Sequence, residues 1–222
     1  MATVYSNTSD GSQASGLNTN WDNVHDAVGH ASPSTTNGSE LTNGVRYEYV
    51  TGRGAVRYYL VRSFFDFDTS GIGSAPSDAT FKIKVILQNS CTPCIIAKSG
   101  HDPSTTSDDW FSTWITGQSV TLSGWGSGDI TAYSSSTSIG SVESYTDFTL
   151  NSDARDDMAS LSTFKICLLH TNDYNDTAPT SGLLRTGFYY ANHATVGNRP
   201  YIDYTAAATT ATHNATFFGS NF

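Results

Sequence analysis

The chain has 222 residues, with 30 Ser, 30 Thr and 19 Gly against only 4 Lys and 3 Glu, and a formal net charge of −9. Charged residues reach 14% and aromatic residues 12%, enough apolar material to offset chain entropy and too little Lys and Glu for exposed helices, so an all-β domain is the expectation. No stretch approaches the ~18 apolar residues of a membrane helix, the seven Arg are too thinly spread for a nucleic-acid patch, and three Cys are too few for a disulfide framework.

The start, Met1 to Tyr5, has neither a basic region nor an apolar run, so no export signal is expected there. Residues 6–44 are punctuated by Asn, Gly, Ser and Thr and read as long loops joining edge strands, with β-like islands at Val4-Tyr5 and around Val24 to Val28. The first clear strand is Val45–Val50, where Val45, Tyr47 and Tyr49 alternate with Arg46 and Glu48. A turn at Thr51-Gly52-Arg53-Gly54 leads into Ala55–Asp68, which carries apolar residues on both parities. That pattern predicts a strand covered on both faces, or one with a bulge near Ser63. Segment 79–88 alternates cleanly: Ala79, Phe81, Ile83, Val85 and Leu87 face a core, while Thr80, Lys82, Lys84 and Gln88 face water.

Shorter strands are predicted at Ile95-Ile96 and Ser119–Leu122, separated by an acidic, Trp-bearing loop at His101–Gly117. Segment 144–150 alternates again. Asn151 is a preferred N-cap and opens the one helix the pattern predicts, roughly 152–161, with Asp153 in its first turn and Ala154, Met158 and Leu161 on one stripe. Strands at Thr163–His170, Thr186–Tyr190 and Pro200–Tyr204 complete a β-sandwich of jelly-roll type, a single domain over 1–205. Residues 206–222 form an Ala/Thr-rich tail ending in Phe217, Phe218 and Phe222; these rings either pack on the parent domain or anchor it in another subunit.

Arg62-Ser63-Phe64-Phe65-Asp66-Phe67-Asp68-Thr69-Ser70-Gly71-Ile72 followed by Ala79 to Val85 resembles the core of DNRLRE-type jelly-roll modules. Tyr145 to Asn151 before a short helix, and Arg199 to Tyr204 as a closing strand, match the same pattern, so the likeness covers roughly residues 3–205. The chain departs from that family in Gly73, where a Pro is usual, and in its Phe-bearing tail. The resemblance implies a β-sandwich of the kind found on bacterial surfaces, in carbohydrate-binding modules and in structural proteins of bacteriophages.

On the strand itself, a covered Arg62 needs a counter-charge, and Asp66 or Asp68 is the expected partner. Those carboxylates read as fixing a strand end and turn, with Ca²⁺ held by Asp66 or Asp68 and loop carbonyls as the functional alternative. Cys91-x-x-Cys94 and Cys167-x-x-His170 formally make a zinc set. Cys167 and His170, however, stand at odd separation on a strand and so point to opposite faces. The plainer reading is a buried Cys167 thiol, with Cys91 and Cys94 free or disulfide-bonded. Trp110, Trp114 and Trp125 lie in Gly-, Ser- and Asp-rich surroundings and are candidate sugar-stacking platforms, against the plainer reading that they cap the open end of the sandwich. Trp21 is expected in the core, and one of Tyr189 and Tyr190 is expected to face outward.

No G-x-S-x-G, P-loop, G-x-G-x-x-G or H-E-x-x-H pattern is present. The chain is therefore expected to be non-enzymatic, without cofactor or metal. The resemblance, the single sandwich without an export signal and the Phe-rich arm together make a virion structural protein of a bacteriophage, a capsid decoration or fibre-type accessory, the expectation. Its expected partners are other virion proteins, in a homo-oligomer for which a trimer is the natural display. The alternative is a carbohydrate-binding or adhesion module meeting a cell-surface glycan.

Overall fold

The computed structural model describes residues 1–26, 44–52, 54–100 and 124–208. Within them the chain is all-β. The strands are β1 (Ala2–Tyr5), β2 (Gly11–Ala14), β3 (Val45–Gly52), β4 (Ala55–Asp68), β5 (Asp78–Asn89), β6 (Cys94–Lys98), β7 (Tyr145–Thr149), β8 (Thr163–His170), β9 (Leu183–Phe188) and β10 (Tyr201–Thr205). They pair antiparallel in the order β1-β10-β5-β9-β3-β4-β8-β6, with β2 added on β4 and β7 on β5.

Strand β5 is where the sheet changes layer. Its first half pairs with β10 and β7, and its second half pairs with β9 from Val85 onward, with a register shift inside that pairing between Val85 and Leu87. An irregularity of this kind bends the strand and increases its twist. The sheet folds over on itself as a result. Phe81 of β5 meets Phe65 and Phe67 of β4 at ring separations of 5.2 and 5.9 Å, although three strand spacings lie between them along the sheet. The two layers are thus sandwich-like, with the main core between them.

Strand β4 is the axis of the molecule. Its pairing with β8 runs from Ser63 to Asp68, and with β2 from Val61 to Phe64, without a shift at Ser63. Of the two sequence alternatives, the strand is covered on both faces there. Phe65 and Phe67 enter the main core, while Phe64 joins a second buried cluster with Ile95, Ala97, Trp125, Ile130, Cys167, Leu169 and Tyr174.

Helix α2 (Ser152–Ser160) is the one the sequence predicts, and the Asn151 side chain accepts from the Ala154 amide at 3.0 Å as its N-cap. It is not alone. One-turn helices α1 (Asp22–His25) and α3 (Thr171–Tyr174) and a 3₁₀ turn at Val196–Asn198 accompany it. The expected β-like island at Val24 is corrected accordingly: Val24 is on α1, whose Asp22 amide is held by the Asn20 side chain, and residues 27–43 lie outside the described residues. So do the expected strand at Ser119–Leu122, the loop His101–Gly117 and the tail beyond residue 208. Among the described residues no helix is long and apolar enough to cross a membrane.

Candidate functional site

The densest polar constellation sits on the second face of β4. Arg62 is completely buried there, on the parity of Phe64. Its Nε donates to Asp173 Oδ2 at 2.8 Å and its Nη2 to Asp173 Oδ1 at 2.6 Å, a two-pronged pair, with a longer bond from Nη2 to the His25 carbonyl. This corrects the sequence expectation. Asp66 instead accepts from Asn7 Nδ2 and Ser9 Oγ, and Asp68 accepts from the amide and hydroxyl of Ser70. Both act as strand-end and turn fixers, and Arg62 is paired across the fold.

Two short helices deliver the partners. Helix α1 presents His25, also fully buried. Its Nδ1 lies 2.7 Å from Asp26 Oδ1 and 3.3 Å from Asp176 Oδ1, and its Nε2 lies 3.0 Å from the Asp173 carbonyl. Every polar group facing the two ring nitrogens is an oxygen, two carboxylates at Nδ1 and a carbonyl at Nε2. Helix α3 is capped by the His170 side chain, whose Nδ1 accepts from the Asn172 amide, and this turn places Asp173 over Arg62. The Trp21 indole donates to Asp176 Oδ1 at 2.8 Å, and the Gly124 amide donates to Asp26 Oδ2.

Trp125 closes the cluster. Its ring stacks on His25 at 4.1 Å, and the Arg62 guanidinium lies 4.7 Å from the ring centroid. At 1% exposure it shows no face to solvent, so the stacking surface proposed from the sequence is taken up inside the protein. Its indole Nε1 has no hydrogen-bond partner among the described residues. Trp110, Trp114, Phe217, Phe218 and Phe222 lie outside the described residues. Trp21 is buried, as expected, against Tyr47, Tyr58 and His25. Tyr190 is buried and Tyr189 half-exposed, the expected split.

Chemically the constellation is a clasp. It joins α1, β4, the β8–α3 corner and the segment at Gly124, four pieces far apart in sequence. Both His25 nitrogens are engaged inside the protein, Nε2 with the Asp173 carbonyl and Nδ1 with Asp26 and Asp176. Of these residues Arg62 and Trp125 were singled out in the sequence, and Trp21 and His170 only for other roles, in the core and in a formal zinc set. An Arg inside an apolar strand signals a buried counter-charge, but Asp173 is one of 17 Asp and nothing local marks it.

The formal zinc set is not assembled. Cys167 belongs to the second cluster, whereas Cys91 and Cys94 belong to the main core, and all three are free buried thiols. His170 stacks on Tyr47 at 4.3 Å, on the main-core side, so Cys167 and His170 do face opposite ways. Because His170 Nδ1 already accepts from an amide, Nε2 carries the hydrogen and offers a metal no lone pair. Burial also lowers the pKa of this ring, favouring its neutral form, although Asp173 acts in the opposite sense. Among the described residues no three His, Cys, Asp or Glu side chains are grouped as metal ligands.

A second feature lies where the main core runs out. An open groove of ≈ 380 Å³ is lined by Tyr49, Val50, Thr51, Ser181, Gly182 and Leu183. Tyr49 pairs across the hairpin with Tyr58, ring edge to face at 6.1 Å, and Tyr58 meets Trp21 at 5.8 Å, so an aromatic row leads from the core to the groove.

No protein-family model matches the chain, and no curated protein matches it.

Proposed function

We propose that the chain is a non-catalytic virion structural module of a bacteriophage, a capsid decoration or fibre-type accessory that docks as a homo-oligomer on a larger assembly. The observation that carries this reading is the clasp. A group of ions and aromatic rings that resembles catalytic machinery in composition is spent on tying four distant chain segments into one body. A stiff, pre-ordered body loses little entropy on docking, which favours display on a particle. The resemblance of residues 62–85 to DNRLRE-type modules supports the same reading. The test is incorporation. Particles assembled in cells that express the full chain should retain it through purification, and removal of residues 206–222 should release it. A chain that stays monomeric in sedimentation and is absent from purified particles overturns the proposal.

The second reading, a carbohydrate-binding module, is favoured by the groove beside Tyr49. An aromatic wall with Thr51 and Ser181 hydroxyls alongside suits the apolar face and hydroxyl edge of a pyranose. On this reading Tyr49→Ala abolishes retention on polysaccharide columns while the thermal midpoint stays near that of the parent. Unchanged retention removes it.

A further inference from the structure

The segment Cys91-Thr92-Pro93-Cys94 is the corner where the chain leaves β5 and enters β6. Both thiols are completely buried in the main core. Cys94 Sγ donates to the Cys91 carbonyl at 3.4 Å, so the two cysteines meet across the turn. The backbone on either side is pinned: Thr186 Oγ1 donates to the Cys91 carbonyl at 3.2 Å, and Cys94 exchanges two bonds with Thr137 at 2.9 and 2.8 Å. The third thiol, Cys167, is separated from this pair by the β8 backbone.

We propose that Cys91 and Cys94 are an oxidisable pair that closes as an intramolecular disulfide by exchange with a small-molecule disulfide of the glutathione class, while the corner is still open to solvent. One cysteine, as thiolate, attacks the reagent's S–S bond and forms a mixed disulfide, releasing one reagent thiolate. The second cysteine then attacks the protein-side sulfur of that mixed disulfide, and the second reagent thiolate leaves. The protein ends two hydrogens lighter, and the reagent ends as two thiols, having taken up both electrons and both protons. Within the folded body the reaction is suppressed from either direction. Burial pushes the Cys91 thiol well above its usual range, with Cys94, Asp173 and Glu48 acting in the same sense, so the attacking thiolate is scarce. No reductant reaches a closed bond at full burial. The closed form places no charge in the core and gives up the Cys94 Sγ donation to the Cys91 carbonyl.

The experiment refolds the full chain from concentrated urea in mixtures of reduced and oxidised glutathione, so that the corner meets the reagent before it is buried. The refolded chain is compared with chain kept in urea at the same poise, with alkylation under denaturing conditions and mass mapping. The expected result is a folded oxidised chain with a single alkylatable thiol, mapped to Cys167, and an oxidised-to-reduced ratio at fixed poise at least tenfold higher in the folded chain than in urea. Three alkylatable thiols in the folded protein at every poise, a ratio that falls on folding, or a bridge mapped to Cys167 overturns it. Cys91→Ser should leave no internal bridge in the refolded chain, with Cys94 and Cys167 each found either as an alkylatable thiol or as a mixed disulfide with glutathione. Should that variant not fold, Cys167→Ser, which leaves the pair intact, should show no alkylatable thiol when oxidised, and two in that state count against the proposal.

Discussion

Arg62 and Asp173 are 111 residues apart in sequence and form a two-pronged, fully buried ion pair. The guanidinium is 0% exposed and the carboxylate 2%. Such a pair gains little net stability over an apolar replacement of the same shape, because desolvation opposes the Coulombic attraction, but removing one partner strands a buried charge. Arg62→Met is therefore expected to cost ~3–5 kcal/mol of unfolding free energy in urea, and Asp173→Asn a similar amount. The double substitution should cost clearly less than the sum of the two. Additive losses in the double-mutant cycle would mean that the two groups do not act together.

Asp10 supplies a pH dependence of defined sign. Its carboxylate accepts from the Ala191 amide through both oxygens, at 3.2 and 3.0 Å, and is completely covered. Burial raises its pKa to about 7, with Asp66 adding to the rise and the Ala191 amide, Ser6 and Arg199 opposing it. In the unfolded chain an Asp titrates near ~3.9. The folded state thus holds the proton more tightly. The contribution is fully present below the unfolded value and is lost as pH climbs from about 4 through about 7, a change on the order of 4 kcal/mol. Asp10→Asn keeps an acceptor for the amide and removes the ionisation. It should match the parent near pH 4 and exceed it in urea midpoint at pH 8. Asp68, Asp157 and Glu143, whose pKa values are lowered, contribute in the opposite sense, and they cancel when parent and variant are compared. Parallel midpoint curves for the two proteins would refute the assignment.

Period-two patterning carried most of the fold. It places β4 and β8 at their observed limits and β3, β5, β7, β9 and β10 within a few residues, because each buries one or both faces in a strand's own rhythm. Asn151 marks the start of α2 for a local reason, a side chain that reaches three residues on. Strand β2 has no such signal. Gly11-Ser12-Gln13-Ala14 contains no apolar alternation and is a strand because it pairs with Val61 to Phe64 of β4. The clasp was illegible for the same reason. Trp125 stands among glycines, as an exposed loop residue would, and its burial is decided by His25, exactly one hundred positions earlier in the chain, and by Arg62. The spacing argument about Cys167 and His170 held because it depends only on strand parity.

Gly44 and Gly54 separate two uses of glycine. Both have positive φ, +136° and +78°. A Cβ on Gly44 would lie 1.9 Å from the Thr186 carbonyl oxygen and 2.8 Å from Gly187 Cα, both backbone atoms of β9, whereas a Cβ on Gly54 meets nothing within 4 Å. Gly54→Ala is expected to cost only the backbone preference, ~1 kcal/mol. Gly44→Ala must displace β9 from β3 where Val45 pairs with Thr186, and must disturb the Ser63 hydroxyl that donates to the Gly44 carbonyl. A loss of about 3 kcal/mol or more is expected there. Equal losses at the two positions in thermal unfolding would contradict the close approach of β9.

Trp125 separates packing from polar satisfaction. The ring is buried against His25, Arg62 and the second cluster, so Trp125→Ala opens a large cavity and should cost ~3–5 kcal/mol. Among the described residues the indole Nε1 is a buried donor with no partner, which sets a standing penalty of ~1–3 kcal/mol. Trp125→Phe removes that penalty along with part of the ring. Its cost should fall to about 1–2 kcal/mol, well below what the lost volume alone predicts. Trp21→Phe is the contrast, because the Trp21 indole donates to Asp176 and its removal leaves that carboxylate without one partner. Trp21→Phe should therefore cost more than Trp125→Phe, although Trp125 is the more deeply buried of the two. The reverse order in urea denaturation would show that the Trp125 N–H is satisfied in solution.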